Sequence, residues 1–170
     1  REGVFRTASE CYNPYDLDNI LSHLTNHCVQ EMGPNFSKFE MGNEMWYDQF
    51  QAYLDQHHRG WNLREHVVPK IKDIIYACFQ SVKQKLTHSV RGHEHEMLCY
   101  QVFGFDFMLD DEFRTWLIEV NGQPAVAEAL LPAFTQDTVE LIVQPLFPMP
   151  GRRPCRHRFE PVLEQNFPVH

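Results

Sequence analysis

The stretch GFDFMLDDEFRTWLIEVNG, residues 104–122, contains two apolar runs separated by a short polar segment. Two such runs on either side of a polar turn predict a β-hairpin, whose turn we place at residues 111 and 112. Asp106 then lies opposite Leu117 or Glu119, depending on the register. This stretch decides the fold, because it makes the clearest strand pair in the chain an antiparallel one.

Three oxygen-bearing side chains converge on one face of the expected hairpin. Side chains alternate along a strand, so Asp106, Glu119 and Asn121 share a face. Cross-strand partners lie about 5 Å apart, which brings these groups together. The opposite face would carry Phe105, Phe107, Ile118 and Val120. Carboxylate and amide oxygens suit Mg²⁺, which proteins often bind together with nucleotide phosphates, so the pattern predicts a Mg-nucleotide site.

The alternative is that each acid is an ordinary solvent-facing residue on a half-exposed sheet, which is the commoner situation for either strand taken alone. Both runs, however, have the composition of strands that are buried on both faces. A charge in such a place is costly unless something pairs with it. We therefore favour the metal site.

Composition restricts the class of protein. The 170 residues are 43% hydrophobic and 13% aromatic, with a formal net charge of −8. A chain of this size can form one domain with a substantial core, and its negative charge argues against binding nucleic acid or acidic membranes. No apolar run approaches the ~20 residues that span a bilayer. Five cysteines without a Cys-x-x-Cys pair fit free thiols in a reducing compartment, so we expect a cytoplasmic protein.

The remaining pattern alternates between short strands and helices. Apolar spacing predicts three helices, over residues 44–57, 66–86 and 136–146. Strands are predicted at residues 4–5 and 23–29, and a polar linker at residues 87–95. From residue 148 onward Pro, Arg and His predominate without a period, which is typical of a tail. Because the best-defined strand pair is antiparallel, the pattern favours an α+β fold over a doubly wound sheet.

Side chains would have to hold any phosphate, because the sequence has no glycine-rich loop of the G-x-x-x-x-G-K-[ST] type. Arg6 is the best basic candidate, as a bidentate donor to phosphate or carboxylate, although a lone arginine in a strand is more often a surface residue. Thr25 and Asn26 could donate to a nucleotide or form local turn bonds, and the residues alone favour the turn.

Five blocks of sequence, in this order, resemble the tubulin–tyrosine ligase family. They are REGV with RT (residues 1–4 and 6–7), HLTNHC (23–28), GNEM (42–45), FGFDFM (103–108) and WLIEVNG (116–122). Glutamylase and glycylase relatives usually have Tyr-Ser after His-Leu-Thr-Asn and Thr-Ser-Pro after Glu-Val-Asn. This chain has His27-Cys28 and Gly122-Gln123-Pro124 instead, which resemble the members that add tyrosine.

The resemblance implies an ATP-grasp fold. Residues 1–148 would be the C-terminal part of its catalytic domain, a mostly antiparallel sheet packed with helices, and residues 149–170 a Pro/Arg-rich tail. It implies that ATP phosphorylates the C-terminal glutamate of detyrosinated α-tubulin, and that free L-tyrosine attacks the acyl phosphate. We expect ATP and Mg²⁺ as cofactors, with K⁺ as a further candidate, in a monomeric, cytoskeleton-associated protein.

Individual roles follow from the resemblance position by position. The Mg²⁺ ligands of the family match Asp106, Glu119 and Asn121. Nucleotide contacts match Thr25 and Asn26. Arg6 matches an arginine that faces the phosphates or the acceptor carboxylate, and we expect Arg6 and Glu119 to act in catalysis. Metal and arginine charges would offset the negative charge that develops during phosphoryl transfer.

The chain also departs from the family. The regions that supply further nucleotide-binding lysines and much of the tubulin-docking surface are missing, as is the basic strand expected before Arg1. Cys11 stands where the family usually has proline. We therefore expect a fragment that is inactive alone, because half of the ATP cleft is absent. Two other interpretations stay open: a truncated, non-catalytic tubulin-binding protein, and a polyglutamylase-type relative that differs only in the amino-acid donor.

Overall fold

The structure, a computed structural model, describes residues 3–90, 100–147 and 157–163, with the backbone alone for residues 86–90. The chain divides into two compact units, residues 2–66 and residues 67–170. Within the described residues, each unit combines helices with a two-stranded antiparallel sheet. The predicted α+β class is therefore confirmed.

The first unit is built on a short sheet and one long helix. Its elements are β1 (Val4–Arg6), α1 (Ile20–His23), α2 (His27–Gln30), β2 (Glu44–Trp46) and α3 (Tyr47–His57). β1 and β2 pair antiparallel, with Phe5 opposite Met45. Phe5 also stacks on Phe50 of α3, with 4.1 Å between the ring centroids. Leu54 of α3 is fully buried, so the core of this unit lies between the sheet and α3.

The start of α3 differs from the prediction. The helix begins at Tyr47 rather than at residue 44, because Glu44–Trp46 pair with β1 as strand β2. The backbone N–H of Trp46 donates to the side chain of Gln49 at 2.7 Å, which satisfies a donor at the helix N-terminus. A three-residue strand is too short to show an alternation of apolar and polar side chains. Because β2 runs directly into α3, the apolar spacing predicted one helix over both elements.

Buried polar side chains form a hydrogen-bond cluster in the first unit. Gln30 is fully buried, and its side-chain carbonyl accepts from the Ser9 N–H at 2.8 Å and from the Asn43 amide at 3.2 Å. Its side-chain amide donates to the backbone carbonyls of Leu21 at 3.0 Å and Leu24 at 2.6 Å. The cluster therefore fixes the segment that leads from α1 to α2.

The predicted strand at residues 23–29 is wrong. α1 ends at His23 and α2 begins at His27, and the Asn26 carbonyl accepts the first N–H bonds of α2. Gln30 supplies donors to two carbonyls that a strand would have satisfied through a neighbouring strand. The side chain of Gln30 thus provides the hydrogen bonds that a neighbouring strand would otherwise have provided to these carbonyls.

The turn before β2 needs a left-handed backbone at two successive residues. Gly42 has φ 66° and Asn43 has φ 53°. Glycine adopts this region freely, and asparagine tolerates it better than most residues. The Asn43 amide donates to the Thr7 carbonyl at 3.1 Å, and its side-chain oxygen accepts from the Ser37 N–H at 2.8 Å. These bonds hold the chain as it enters β2 at Glu44.

The second unit places a hairpin against a long helix. Its elements are α4 (Val68–Val90), β3 (Gly104–Leu109), β4 (Thr115–Asn121) and α5 (Leu131–Thr138). α4 packs on β4, and the Phe79 ring of α4 lies 5.8 Å from the Phe103 ring and 6.0 Å from the Phe105 ring. Pro69 is the second residue of α4, as expected for a proline in a first turn.

The last helix begins earlier than predicted. α5 starts at Leu131 rather than at residue 136, with Pro132 in its first turn, where proline is tolerated. After Thr138 the chain continues as a wider helical turn over Val139–Val143. The predicted helix therefore exists, but the apolar residues that suggested it lie mostly in its irregular C-terminal part.

Several expectations fall partly or wholly on residues that the structure does not describe. α4 extends to Val90, so the first residues of the predicted linker at 87–95 are helical, and the rest lie outside the described residues. The expected boundary between residues 148 and 149 also lies outside them. Of the predicted tail, residues 157–163 are described. Among the described residues, no helix has both the length and the apolar composition that crossing a membrane requires.

Candidate metal site on the β3–β4 hairpin

The hairpin brings two carboxylates directly opposite each other. β3 and β4 pair antiparallel, with Asp106 opposite Glu119 and Gly104 opposite Asn121. This is one of the two registers that the sequence allowed. Asp106, Glu119 and Asn121 consequently share a face, because cross-strand partners and residues two apart on a strand point the same way.

A β-bulge interrupts the ladder beside this pair. Phe107 pairs with Leu117 rather than with Ile118, so Ile118 is an extra residue on β4. On the expected apolar face, Leu117 rather than Ile118 therefore lies opposite Phe107. The bulge also places Trp116, the partner of Met108, on the same face as Asp106. Alternation in a sequence gives no sign of an inserted residue, so this shift could not be predicted.

The carboxylate face of the hairpin is exposed. On this side of the strands Met108 is 52% and Trp116 55% exposed, and the bulged Ile118 is 57% exposed. The interpretation of both runs as buried on both faces is wrong, because α4 packs on the opposite side, against Phe105. Asp106 and Glu119 therefore reach solvent.

Asn121 links the two acids. Its side-chain amide donates to Asp106 Oδ2 at 3.1 Å and to Glu119 Oε1 at 2.9 Å. Two like charges directly opposite on a hairpin repel each other, and a donor shared between them offsets part of that repulsion. A divalent cation would offset more of it. The arrangement is therefore a pair of opposed carboxylates to which a divalent cation could bind.

The donor set fits a hard cation. No group of three His, Cys, Asp or Glu side chains that could hold a metal occurs among the described residues. At this site the third oxygen would be Oδ1 of Asn121, once the amide turns over so that Oδ1 rather than Nδ2 faces the carboxylates of Asp106 and Glu119. Two carboxylates and an amide, with open coordination positions for water or phosphate, are what Mg²⁺ commonly uses in proteins.

Asp110 organises the hairpin turn, a role that was not predicted for it from the sequence. Its carboxylate accepts from the Glu112 N–H at 3.0 Å and the Arg114 N–H at 2.9 Å. It also accepts from Arg114 Nε at 2.7 Å and the Trp116 indole N–H at 2.9 Å. These hydrogen bonds hold the pKa of Asp110 well below its usual range, and the bond from Trp116 has the largest effect. An aspartate at the first position of a turn was the available signal.

Protonating or neutralising Asp110 is expected to loosen the turn. Because its folded pKa is lowered, its contribution to stability is complete above the ordinary value near 4 and is lost as the pH falls through the folded pKa. The indole N–H resonance of Trp116 should therefore stay unchanged as the pH is lowered through about 4, where an ordinary aspartate titrates. Asp110→Asn should shift that resonance at neutral pH. A Trp116 resonance that titrates near pH 4 in the parent would contradict this role.

The remaining predicted site residues lie in the first unit. Arg6 is opposite Glu44 in the sheet, with 3.5 Å between Arg6 Nη1 and Glu44 Oε1. Asn26 precedes α2, and its side chain makes no capping bond. Its backbone carbonyl instead accepts the first N–H bonds of α2, which is a local turn contact of the kind that the residues alone favoured. Thr25 is half-buried. The carboxylate cluster, by contrast, belongs entirely to the second unit.

Comparison with known proteins identifies the family. A family model described as "Tubulin-tyrosine ligase family" matches residues 1–153. The chain is 31% identical over 132 residues to "Tubulin polyglutamylase TTLL6" of Homo sapiens, an alignment that covers 73% of this chain and 14% of the relative. It is 32% identical over 129 residues to "Tubulin polyglutamylase ttll-4" of Caenorhabditis briggsae, covering 74% and 21%. It is also 27% identical over 147 residues to "Tubulin glycylase 3C" of Tetrahymena thermophila, covering 81% and 13%.

The chain belongs to the tubulin-tyrosine ligase family. It spans between about an eighth and a quarter of the length of the curated relatives that it matches. The names of these relatives refer to glutamate and glycine addition. They give no support to the expectation that free tyrosine is the amino acid added.

Proposed function

We propose that this chain carries the divalent-cation ligands of an ATP-dependent ligase that forms an amide bond on tubulin. The observation that carries the proposal is the exposed cluster of Asp106, Glu119 and Asn121 in a member of this family. The ATP-grasp architecture, the α-tubulin substrate and a cytoplasmic, cytoskeleton-associated location belong to the same proposal.

In the proposed reaction an acceptor carboxylate of tubulin takes the γ-phosphoryl group of ATP, which gives an acyl phosphate and ADP. The amine of a free amino acid then displaces inorganic phosphate and forms the amide. A bound Mg²⁺ would neutralise charge on the phosphates. Asp106 and Glu119 hold anionic oxygens on one exposed face, and Asn121 keeps the two carboxylates turned toward each other.

Glutamate or glycine is the amino-acid donor that the relatives favour, since they are named polyglutamylases and glycylases. Tyrosine is the second candidate. It is supported by His27-Cys28 and Gly122-Gln123-Pro124, which differ from the residues usual in glutamylases and glycylases. These two candidates share the site and the chemistry and differ only in the pocket for the amine.

Incorporation of labelled amino acids tests the proposal. The full-length protein that contains this chain would be given detyrosinated tubulin, ATP and Mg²⁺ with labelled glutamate, glycine or tyrosine in separate reactions. Incorporation of glutamate or glycine supports the first candidate, and incorporation of tyrosine alone supports the second. If a folded protein sediments with microtubules but incorporates none of the three, the chain belongs to a non-catalytic tubulin-binding protein.

Arg6→Lys is expected to lower kcat/KM for ATP by about ten- to a hundredfold, because lysine cannot make the bidentate contact that arginine makes with phosphate or carboxylate. Arg6 lies at an exposed position of β1 beside Glu44, where its guanidinium is accessible. Arg59→Lys, at an exposed position of the same unit, is the matched control and should leave kcat/KM unchanged. Equal activity of the two variants would exclude Arg6 as a phosphate-binding residue, and Thr25 and Asn26 would then be the remaining candidates for nucleotide contacts in this unit.

A further inference from the structure

Residues 157–163 lie beyond residues 1–153, which the family model matches, and they contact both α4 and α5 of the second unit. Arg158 Nε lies 2.8 Å from Asp137 Oδ2 of α5, and the Asp137 side chain is only 14% exposed. Two residues further along, Glu160 pairs with Lys72 of α4. A segment that the sequence predicts as tail therefore makes specific contacts.

An aromatic contact lies between the two ion pairs. The Phe159 ring meets the Phe134 ring of α5 edge-on, with 5.9 Å between the centroids. Val162 and Leu163 are half-buried beyond Glu160. The segment thus combines charge pairing with apolar burial over a few consecutive residues.

The order of the charges gives the contact a direction. A basic residue of the segment meets the acid of α5, and an acidic residue meets the base of α4. If the segment ran the opposite way, Glu160 would face Asp137 and Arg158 would face Lys72. Like charges brought together in this way are unfavourable, so a single orientation and register is selected.

We propose that residues 157–163 form a clamp, a segment without helix or strand that ties α5 to α4 through Arg158–Asp137 and Glu160–Lys72. α4 also supports the hairpin, because Phe79 packs against Phe105. The clamp therefore restrains the helix on which the carboxylate-bearing hairpin rests. Lys72, Glu160 and Arg158 are partly exposed while Asp137 is largely buried, so salt screens the ion pairs in part and the clamp opens more readily as ionic strength rises.

Limited trypsin cleavage after Arg158 in the full chain measures how often the clamp opens, because cleavage follows the population of the open form when opening is fast. Each rate is divided by the rate for a free peptide of the same sequence. Lys72→Glu should raise the normalised rate about fivefold, since it replaces attraction to Glu160 by repulsion. Lys70→Glu, which makes the same change on the same helix next to Asp73, should leave it near the parent value.

The charge-swapped double variant Lys72→Glu/Glu160→Lys should restore the parent rate, because it rebuilds the pair with reversed polarity. Trypsin does not gain a good site at position 160, since Pro161 follows. Restoration by the swap supports the clamp, and a swap that cleaves as fast as Lys72→Glu overturns it. In the parent, raising NaCl from about 0.05 M to 0.5 M should speed normalised cleavage about threefold. A rate independent of salt would also overturn the proposal, without depending on any variant.

Discussion

Replacement of Glu119 by Gln is expected to lower ATP-dependent ligation by the full-length protein by about 10²- to 10³-fold. The change removes one of the two opposed carboxylates and keeps the shape of the side chain. The amide oxygen of glutamine can still accept from Asn121, which donates to Glu119 at 2.9 Å in the parent. The fold should therefore be preserved, while affinity for the divalent cation falls.

Glu112→Gln is the matched control for this prediction. Glu112 lies in the turn of the same hairpin and pairs with Arg114 at 3.1 Å. Its exchange alters the net charge by the same amount and should leave ligation within about twofold of the parent. Titration with Mg²⁺ separates the possible causes of a loss. If Glu119→Gln binds Mg²⁺ as tightly as the parent, Glu119 is not a ligand of the cation.

Gln30→Leu is expected to lower the free energy of unfolding by about 4 kcal/mol. The fully buried Gln30 side chain donates to the Leu21 and Leu24 carbonyls and accepts from Ser9 and Asn43. Leucine fits a similar volume but removes the Gln30 partner of the Ser9 N–H and of the Leu21 and Leu24 carbonyls, while Asn43 keeps its bond to the Thr7 carbonyl. Urea denaturation followed by far-UV circular dichroism measures the change.

Gln56→Leu provides the comparison, because Gln56 is an exposed residue of α3 in the same unit. That exchange should alter the free energy of unfolding by less than about 0.5 kcal/mol. A similarly small effect for Gln30→Leu would mean that the buried cluster contributes little to stability. Gln30→Glu adds a second comparison, since a carboxylate in this position would face two carbonyls and should be at least as harmful.

The hairpin was predictable because its information is local. Alternation of side chains in residues 104–109 and 116–121, with polar residues between, indicates two strands, a turn and a shared face for Asp106 and Glu119. The long helix α4 was predictable for the same reason, since its apolar spacing continues over many turns. Local patterns of this length leave few alternative structures.

The segment around α1 and α2 was not predictable from its own residues. The run at residues 23–29 carries no helix signal, and its conformation depends on Gln30 reaching back to Leu21 and Leu24. Gln30 in turn is held by Asn43, which is 13 residues away in the sequence. A partner at that distance is visible only once the chain is folded.

The pairing of Glu44 with Arg6 could not be predicted for the same reason. The position of Glu44 opposite Arg6 depends on a strand pair that joins residues far apart in the sequence. The Gly-Asn sequence before it was the available signal, because two left-handed residues in succession indicate a sharp turn into a new element.

The bulge at Ile118 makes the spacing of the hairpin residues odd. Trp116 and Glu119 are three residues apart, yet both lie on the face of Asp106, which a regular strand would not allow. Losing one residue from this interval would remove the bulge and straighten the ladder, and Trp116 and Glu119, then two residues apart, would still share a face. Substitution at Ile118 leaves the count intact. The bulge therefore accommodates one extra residue without turning Trp116 or Glu119 away from Asp106, and a relative that is one residue shorter here should have a regular ladder with the same two side chains on that face.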